Sequence, residues 1–210
     1  MLDRPTEFPK IIAPLPSTLI LASESPRRLD ILRAEGFKIV CIPHRYNEPA
    51  LDMSDEGLIG HIRDAVRCAE AKALSLPLSE LSSGYPGCPA LAADTIVVSP
   101  ACRAFGKPSS ASDARRMLLA LSGSIHHVVT GVCVIQPASG SFVSTFSLSA
   151  VEFTAIPDLT LDDYIASGAW EGKAGGYGIQ DAANAFVAGL NGRLDNGIGL
   201  PIAAVYDLLK

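Results

Sequence analysis

Short apolar runs of strand length alternate with longer segments of helical periodicity along most of the chain. Residues 18–22 (TLILA) form the first run, and Ser25-Pro26 then provides an N-cap followed by proline at the first helical position. Further strands are predicted at residues 37–42, 90–98, 128–135, 142–153 and 186–190. Helices are predicted at residues 26–35, 55–74, 110–121 and 160–168, the last of these from a Thr160-x-x-Asp163 capping box, and after Pro201. This alternation predicts an α/β fold with a mixed sheet.

Length and composition predict one folded domain or a tightly fused pair of domains. The chain has 210 residues, of which 48% are hydrophobic and 19% charged, and this composition excludes a disordered chain. The proline-rich residues 1–16 predict a flexible N-terminal arm, and residues 17–210 predict a single domain. Residues 79–89 (SELSSGYPGCP) are rich in Ser, Gly and Pro, and they predict a surface loop.

Charge and hydropathy exclude several classes of partner. Seventeen Lys and Arg against 22 Asp and Glu give a formal charge of −5, which disfavours nucleic acid or an anionic membrane as a partner. No apolar run approaches the roughly 18–20 residues that a membrane span needs, and the basic-then-apolar pattern of a signal peptide is missing. Five cysteines without a C-x-x-C pair favour neither zinc nor a disulfide framework. We therefore expect a water-soluble, cytoplasmic protein.

Residues 21–28 (LASESPRR) place two cations at the start of a predicted helix. The N–H groups and positive end of a helix make such a strand-to-helix junction a natural anion site. Arg27 and Arg28 would be unfavourable there unless an anion lay between them; the alternative is that water solvates both. The hydroxyl of Ser23 could add a donor, and that of Ser25 could do the same or simply cap the helix.

Two more charged residues lie within apolar patterns. Lys72 lies three residues after Ala69 on the apolar stripe of the helix predicted at 55–74, so its ammonium group either extends to solvent or faces an anion. Asp94 lies in the middle of the apolar run 90–98. Burying an unpaired carboxylate there would cost several kcal/mol, so Asp94 needs a cation, a metal ion or a raised pKa.

Two further candidate cations lie in predicted turns or loops. Lys107 is part of a Gly-Lys-Pro turn, and Lys173 lies in the glycine-rich residues 172–180 (GKAGGYGIQ), where backbone can approach a ligand closely. In an acidic chain, five cations at junctions or on an apolar face predict a site for a small anion carrying several phosphates. Asp94 and Glu48 are candidate ligands of a hard divalent cation that bridges phosphate oxygens.

Seven segments carry a family resemblance. They are LASESPRR (21–28), AEAKA (69–73), ADTIVV (93–98), GKP (106–108), LSGSIHHVVTG (121–131), YIASGAWEGKAGGYGIQ (164–180) and NGIGLP (196–201). In this order they resemble the Maf family of nucleoside triphosphate pyrophosphatases, once described as septum-formation inhibitors. The resemblance covers residues 17–210.

The resemblance implies a fold and an activity. The fold is an α/β one similar to that of inosine triphosphate pyrophosphatases, with a long mixed sheet and a cleft between two lobes. The activity is hydrolysis of a nucleoside triphosphate between its α- and β-phosphates, with Mg²⁺ or Mn²⁺ as the cofactor. Members are often homodimers, so a homodimer is expected here too.

The resemblance also assigns roles to particular residues. Asp94 matches the family's catalytic acid, which would activate or orient the attacking water, and Glu48 matches an acid that helps to hold the metal. The matches to substrate-contacting positions are Ser23, Arg27, Arg28, Lys72, Lys107 and Gln180.

Three residues place the chain in the subgroup that acts on dTTP and UTP: Arg27, Thr95 and Gln180. The amide of Gln180 can donate and accept at once, which suits the edge of a uracil or thymine ring. One departure is Asp181, which stands where the subgroup has glycine; an acid there could shift the loop or alter the choice of base. We also count Thr95 and Lys173 among the expected substrate-binding residues.

Three alternatives remain open from the sequence. The chain could be a nucleotide-sensing regulator of cell division without turnover, or a house-cleaning enzyme that prefers modified pyrimidine nucleotides. Trp170 and Tyr177 could stack on a base or pack in the core. His126 and His127 should point to opposite faces of one strand, which disfavours a metal pair.

Overall fold

The structure is a computed structural model that describes residues 15–47 and 57–210. Residues 1–14 of the predicted arm and the predicted metal ligand Glu48 lie outside the described residues. The division into an arm and one domain therefore stays a prediction.

The described residues form seven strands, seven α-helices and two short 3₁₀ helices, Ala174–Gly176 and Ala182–Phe186. The strands are β1 (Thr18–Leu21), β2 (Lys38–Cys41), β3 (Ala90–Val98), β4 (Ala104–Phe105), β5 (Ile125–Ile135), β6 (Phe142–Phe153) and β7 (Val187–Asn191). The helices are α1 (Pro26–Ala34), α2 (Gly57–Leu74), α3 (Leu78–Gly84), α4 (Ala111–Leu121), α5 (Asp158–Ala166), α6 (Leu194–Ile198) and α7 (Ile202–Leu208). Within the described ranges, no helix combines the length and apolar character needed to cross a membrane.

All seven strands belong to one mixed sheet. Its order is β2-β1-β3-β5-β6-β7, with β4 paired to β3 outside this path. The pairs β2–β1 and β1–β3 are parallel, whereas the pairs β3–β4, β3–β5, β5–β6 and β6–β7 are antiparallel. The α/β fold with a long mixed sheet that was predicted from the sequence is confirmed.

One edge of β3 is only partly covered. Along its other edge β5 pairs with every residue from Ala90 to Val98. On the partly covered edge, β1 pairs with Ala90 and Leu91, and β4 pairs with Val97 and Val98. Between them, no described strand pairs with residues 92–96. The sheet therefore has a gap in the middle of its most buried strand.

Helix α2 packs closely on one face of the sheet. Ala65, Ala69 and Ala73 are fully buried along it, and their small side chains allow a short distance between helix and strands. The closest approach is at Gly131 on β5, where a Cβ atom would overlap the carbonyl group of Ala65 and lie 2.6 Å from the next backbone nitrogen. Because Gly131 pairs with Asp94 across the strands, α2 is held over this part of β3.

The prediction of a surface loop at residues 79–89 is wrong for most of that range. Helix α3 occupies Leu78–Gly84. Leu81 is buried, and Leu78 and Tyr85 pack in the same apolar cluster. Burial of this face outweighs the weak helix propensities of Ser and Gly, which the sequence prediction relied on.

The start of α5 also differs from the prediction. The helix begins at Asp158 after an N-cap at Pro157, so Thr160 lies inside it and forms no capping box. The two-residue strand β4 and the five-residue helix α6 were not predicted, because neither is long enough to show a periodicity.

The contact at Gly131 can be tested by adding one methyl group. Gly131→Ala has to push α2 away from β5, so we expect it to lower the free energy of unfolding by about 1–3 kcal/mol, as measured by urea denaturation. Gly84→Ala is the matched control, because a Cβ atom there meets nothing within 4 Å and the residue does not have a left-handed φ. Equal effects of the two substitutions would contradict the close approach.

Candidate active site

A cleft of about 390 Å³ opens at the gap in the edge of β3. Its walls include the turn between β1 and α1, one side of α2, the middle of β3 and the glycine-rich residues near 172–180. The predicted site residues that line it are Ser23, Arg27, Arg28, Lys72, Asp94, Thr95, Lys107 and Gln180. Side chains that are far apart in the sequence thus meet in one place.

The centre of the cleft is an ion pair between α2 and β3. Lys72 Nζ lies 2.6 Å from Asp94 Oδ1, and the two residues are only 4% and 8% exposed. Lys72 therefore does not extend to solvent, and Asp94 has the cation that its burial requires. Each charge offsets the desolvation cost of the other, so removing either one would leave an uncompensated buried charge.

Arg28 spans the gap in the sheet. Its guanidinium group donates to the carbonyl oxygens of Gly199 and Ala93, both at 2.8 Å, and to the hydroxyls of Ser23 at 3.2 Å and Thr95 at 3.0 Å. The bond to Ala93 uses backbone that a neighbouring strand would otherwise pair. Arg28 thus lines the cleft and also holds β1, β3 and the turn after α6 together.

The start of α1 forms one wall of the cleft. Ser25 is the N-cap residue, but its side chain makes no capping bond; its N–H donates instead to Ser23 Oγ at 3.2 Å. Arg27, in the first turn, donates to the carbonyl oxygen of Gly172 at 3.1 Å. This bond joins α1 to the glycine-rich segment on the other side of the cleft.

The glycine-rich segment is held against β3 and β4. Gly175 N–H donates to the carbonyl oxygen of Gly106 at 2.9 Å. Gly175 has a φ of +68°, and a Cβ atom there would lie 2.9 Å from Val97, so both its conformation and its surroundings require glycine. Exposed Lys107, next to Gly106, and exposed Gln180 both border the cleft.

Lys173 is the one described residue from the predicted set that does not line the cleft. Its ammonium group forms an ion pair with Asp181 instead. No sequence pattern indicates this pairing, because the two residues lie eight positions apart in a glycine-rich segment that contains only a short 3₁₀ helix at Ala174–Gly176. The cleft lining also includes two carboxylates that were not predicted, Glu24 and Glu171, although both lie inside the segments used for the family resemblance.

A buried histidine lies behind the glycine-rich segment. His126 is fully buried, and its Nε2 lies 2.7 Å from the hydroxyl of Tyr177. Both rings make edge contacts with Phe153. Within the described residues, Nδ1 of His126 has no hydrogen-bond partner. Tyr177 thus packs in the core on one side and lines the cleft on the other.

Burial keeps both His126 and Tyr177 uncharged. Loss of hydration, with a smaller effect of nearby His127, lowers the pKa of His126 to about 4. Burial also raises the pKa of Tyr177. Both groups are therefore neutral near pH 7 and share an uncharged hydrogen bond. His127 is partly exposed in the same strand, as the alternation of side chains predicted.

A metal ion would find few protein ligands among the described residues. Residues 15–47 and 57–210 contain no group of three or more His, Cys, Asp and Glu side chains that could hold a metal ion. Among these residues, the carboxylates that line the cleft are those of Asp94, Glu24 and Glu171, and carboxylate oxygens are what Mg²⁺ and Mn²⁺ prefer.

Fold and cleft together define an α/β protein with a cleft at a gap in its mixed sheet, lined by both cations and carboxylates. The sequence matches the family described as "Maf-like protein" over residues 18–210. The chain belongs to this family, which confirms the resemblance drawn from its segments.

Several curated relatives are similar over nearly the whole chain. A dTTP/UTP pyrophosphatase of Pyrococcus horikoshii is 39% identical over 192 residues, which cover 91% of this chain and 95% of that protein. Proteins of the same name from Moorella thermoacetica and Ralstonia nicotianae are each 38% identical over 193 residues. These matches cover 92% and 91% of this chain, and 94% and 92% of the two relatives.

The buried histidine predicts a particular pH dependence of stability. Unfolded His126 binds a proton near pH 6.5 and the folded form only near pH 4, so protonation favours unfolding across this interval. The wild-type protein should lose about 3 kcal/mol of unfolding free energy through His126 as the pH falls from 6.5 to 4. His126→Asn should remove this part of the loss in urea denaturation at several pH values, whereas His127→Asn should retain it. Parallel curves for all three proteins would contradict the assignment.

Proposed function

We propose that this protein is a nucleoside triphosphate pyrophosphatase that cleaves dTTP or UTP between the α- and β-phosphates. The products are a nucleoside monophosphate and pyrophosphate. The relatives named dTTP/UTP pyrophosphatase support this substrate class. The observation that carries the proposal is the cleft itself, in which the buried carboxylate of Asp94 is paired with Lys72 and the same walls carry Arg27, Arg28 and Lys107.

The triphosphate suits the charge of the cleft. Arg27 on α1 is partly exposed and Lys107 before α4 is exposed, so both can contact phosphate oxygens. The N-terminus of α1 also lies at the cleft and adds N–H donors and the positive end of the helix dipole. These groups accelerate the reaction to the extent that they bind the charge of the transition state more strongly than that of the ground state.

Asp94 is the group that acts on the attacking water. Lys72 donates to Oδ1 and thereby fixes the orientation of the carboxylate. The carboxylate orients the water and accepts its proton as the oxygen attacks the α-phosphate. Arg28 and Thr95 have an indirect role in the reaction, because the hydrogen bond between them holds β3 to the surrounding elements.

A divalent cation remains part of the proposal, with the substrate as the main source of its ligands. Mg²⁺ is usually held by one or two carboxylates together with substrate phosphates, so Asp94 and Glu48 would hold the ion and the triphosphate would complete its coordination. A bound Mg²⁺ or Mn²⁺ would offset the charge of the phosphate oxygens.

Gln180 is the residue that we expect to contact the base. It borders the cleft, and its amide can donate to and accept from the edge of a uracil or thymine ring. Tyr177 is engaged with His126 and is mostly buried, so packing accounts for its position without stacking on a base.

Replacing the carboxylate tests the proposed reaction. Asp94→Asn keeps the shape of the side chain but removes the proton acceptor and one negative charge, so turnover should fall at least ~100-fold. The measurement is pyrophosphate release from dTTP, UTP, other common nucleotides and modified pyrimidine nucleotides, with and without Mg²⁺. Asp163→Asn, at an exposed position on α5, is the matched control and should retain wild-type turnover.

The same assay separates the alternative functions. Tight nucleotide binding without pyrophosphate release from the wild-type protein would favour a sensor. Faster cleavage of a modified pyrimidine than of dTTP and UTP would favour a house-cleaning role. Wild-type turnover by Asp94→Asn would refute the assigned role of Asp94.

A further inference from the structure

The ion pair between Lys173 and Asp181 spans the glycine-rich segment. The two side chains are 12% and 33% exposed, so the pair is partly shielded from water. Neither residue lines the cleft, although Gly172, Ala174 and Gln180 beside them do. The pair therefore lies behind the cleft wall and joins the two ends of the segment that forms it.

The side chains of the Lys173–Asp181 ion pair lie against the backbone at Gly178. A Cβ atom at Gly178 would overlap the Asp181 carboxylate and lie 3.3 Å from Cδ of Lys173. Asp181 N–H also donates to the carbonyl oxygen of Gly178 at 3.0 Å. Residues 173–181 thus form a ring closed by one ion pair, and Gly178 leaves room for it.

Other contacts hold the first half of this ring. Gly175 is bonded to Gly106, and the carbonyl oxygen of Gly176 accepts from the hydroxyl of Tyr164 at 3.2 Å. The second half carries Gln180. There, Asp181 makes the ion pair, and its carbonyl oxygen accepts from Asn184 N–H at 2.8 Å.

We propose that the Lys173–Asp181 ion pair positions Gln180 in the cleft and so sets the preference of the site for one class of base. This inference rests on the proposed function, because it concerns how that site chooses its nucleotide. It also gives Lys173 a different role from the predicted one: its charge is used against Asp181, and phosphate binding falls to the other cations. Asp181 is thus a positioning residue that acts through Gln180.

Removing one member of the pair should change binding more than chemistry. Without the carboxylate, the shielded Lys173 ammonium group loses its partner, and exposed Gln180 keeps its anchor at buried Ile179 but loses the one provided by Asp181. We expect Asp181→Asn and Lys173→Met each to raise KM for UTP by about fivefold, within the range of coupling between contacting residues. The kcat should stay within about twofold, because Asp94 and the phosphate contacts are unchanged.

The choice of base is the more specific readout. UTP and CTP differ in the groups at the edge of the ring, which the Gln180 amide is placed to distinguish. The ratio of kcat/KM for UTP over CTP should therefore fall in both variants. The double variant should be no worse than the worse single variant, because both changes break the same pair. The exchanged pair, Lys173→Asp with Asp181→Lys, should recover part of the preference.

Asp162→Asn is the matched control. It breaks the ion pair between Arg115 and Asp162, which joins α4 and α5 at exposed side chains, and should leave both KM and the UTP preference unchanged. Unaltered KM and preference in Asp181→Asn and Lys173→Met would overturn the inference. A parallel loss of kcat and thermal stability with every nucleotide would also overturn it, since a purely structural role predicts that result.

Direct titration with UTP and CTP keeps this test separate from that of the proposed function. If the wild-type protein releases no pyrophosphate, the proposed function fails, but the ratio of the two dissociation constants still reports the preference for a base. A wild-type preference that both variants lose would support the role of the pair, and a preference that both retain would refute it.

Discussion

The cleft depends on a buried pair of opposite charges, Lys72 and Asp94. A carboxylate in the middle of an apolar strand and an ammonium group on a stripe of alanines would each be costly if buried alone. Together they are tolerated, but only where a helix can come close enough to a sheet for a lysine to reach a strand. The alanines of α2 and Gly131 on β5 provide that approach. The ion pair between Lys72 and Asp94 therefore depends on the close packing of α2 against the sheet.

The gap in β3 explains why residues from both faces of the sheet meet in one cleft. Asp94 and Thr95 are neighbours in a strand, so their side chains point to opposite faces. Both nevertheless line the same cleft, since no described strand covers that edge between β1 and β4. Arg28 occupies part of the opening and bonds to backbone there. The basic wall from α1 and the acidic centre on β3 thus come together.

Local sequence signals were sufficient for much of the fold. Strand β3 has the predicted bounds, and α4 ends at the predicted residue and begins one residue after the predicted start, with Ser110 as its N-cap accepting from Asp113 N–H. Polar residues within apolar patterns, such as Asp94, indicated residues of the cleft, because a buried polar group needs a partner. Contacts between distant or irregular segments were not predictable. Residue types do not show that Lys173 turns to Asp181, that His126 meets Tyr177 51 positions later, or that Leu81 makes a serine-rich stretch helical.

The hydrogen bond from Arg28 to Gly199 joins residues 171 positions apart. During synthesis, Arg28 is added to the chain 171 residues before Gly199. A nascent chain that has not reached Gly199 therefore carries the cations of α1 and α2 without the bond that ties Arg28 to the turn after α6. The cleft can take its full geometry only after that turn has been added.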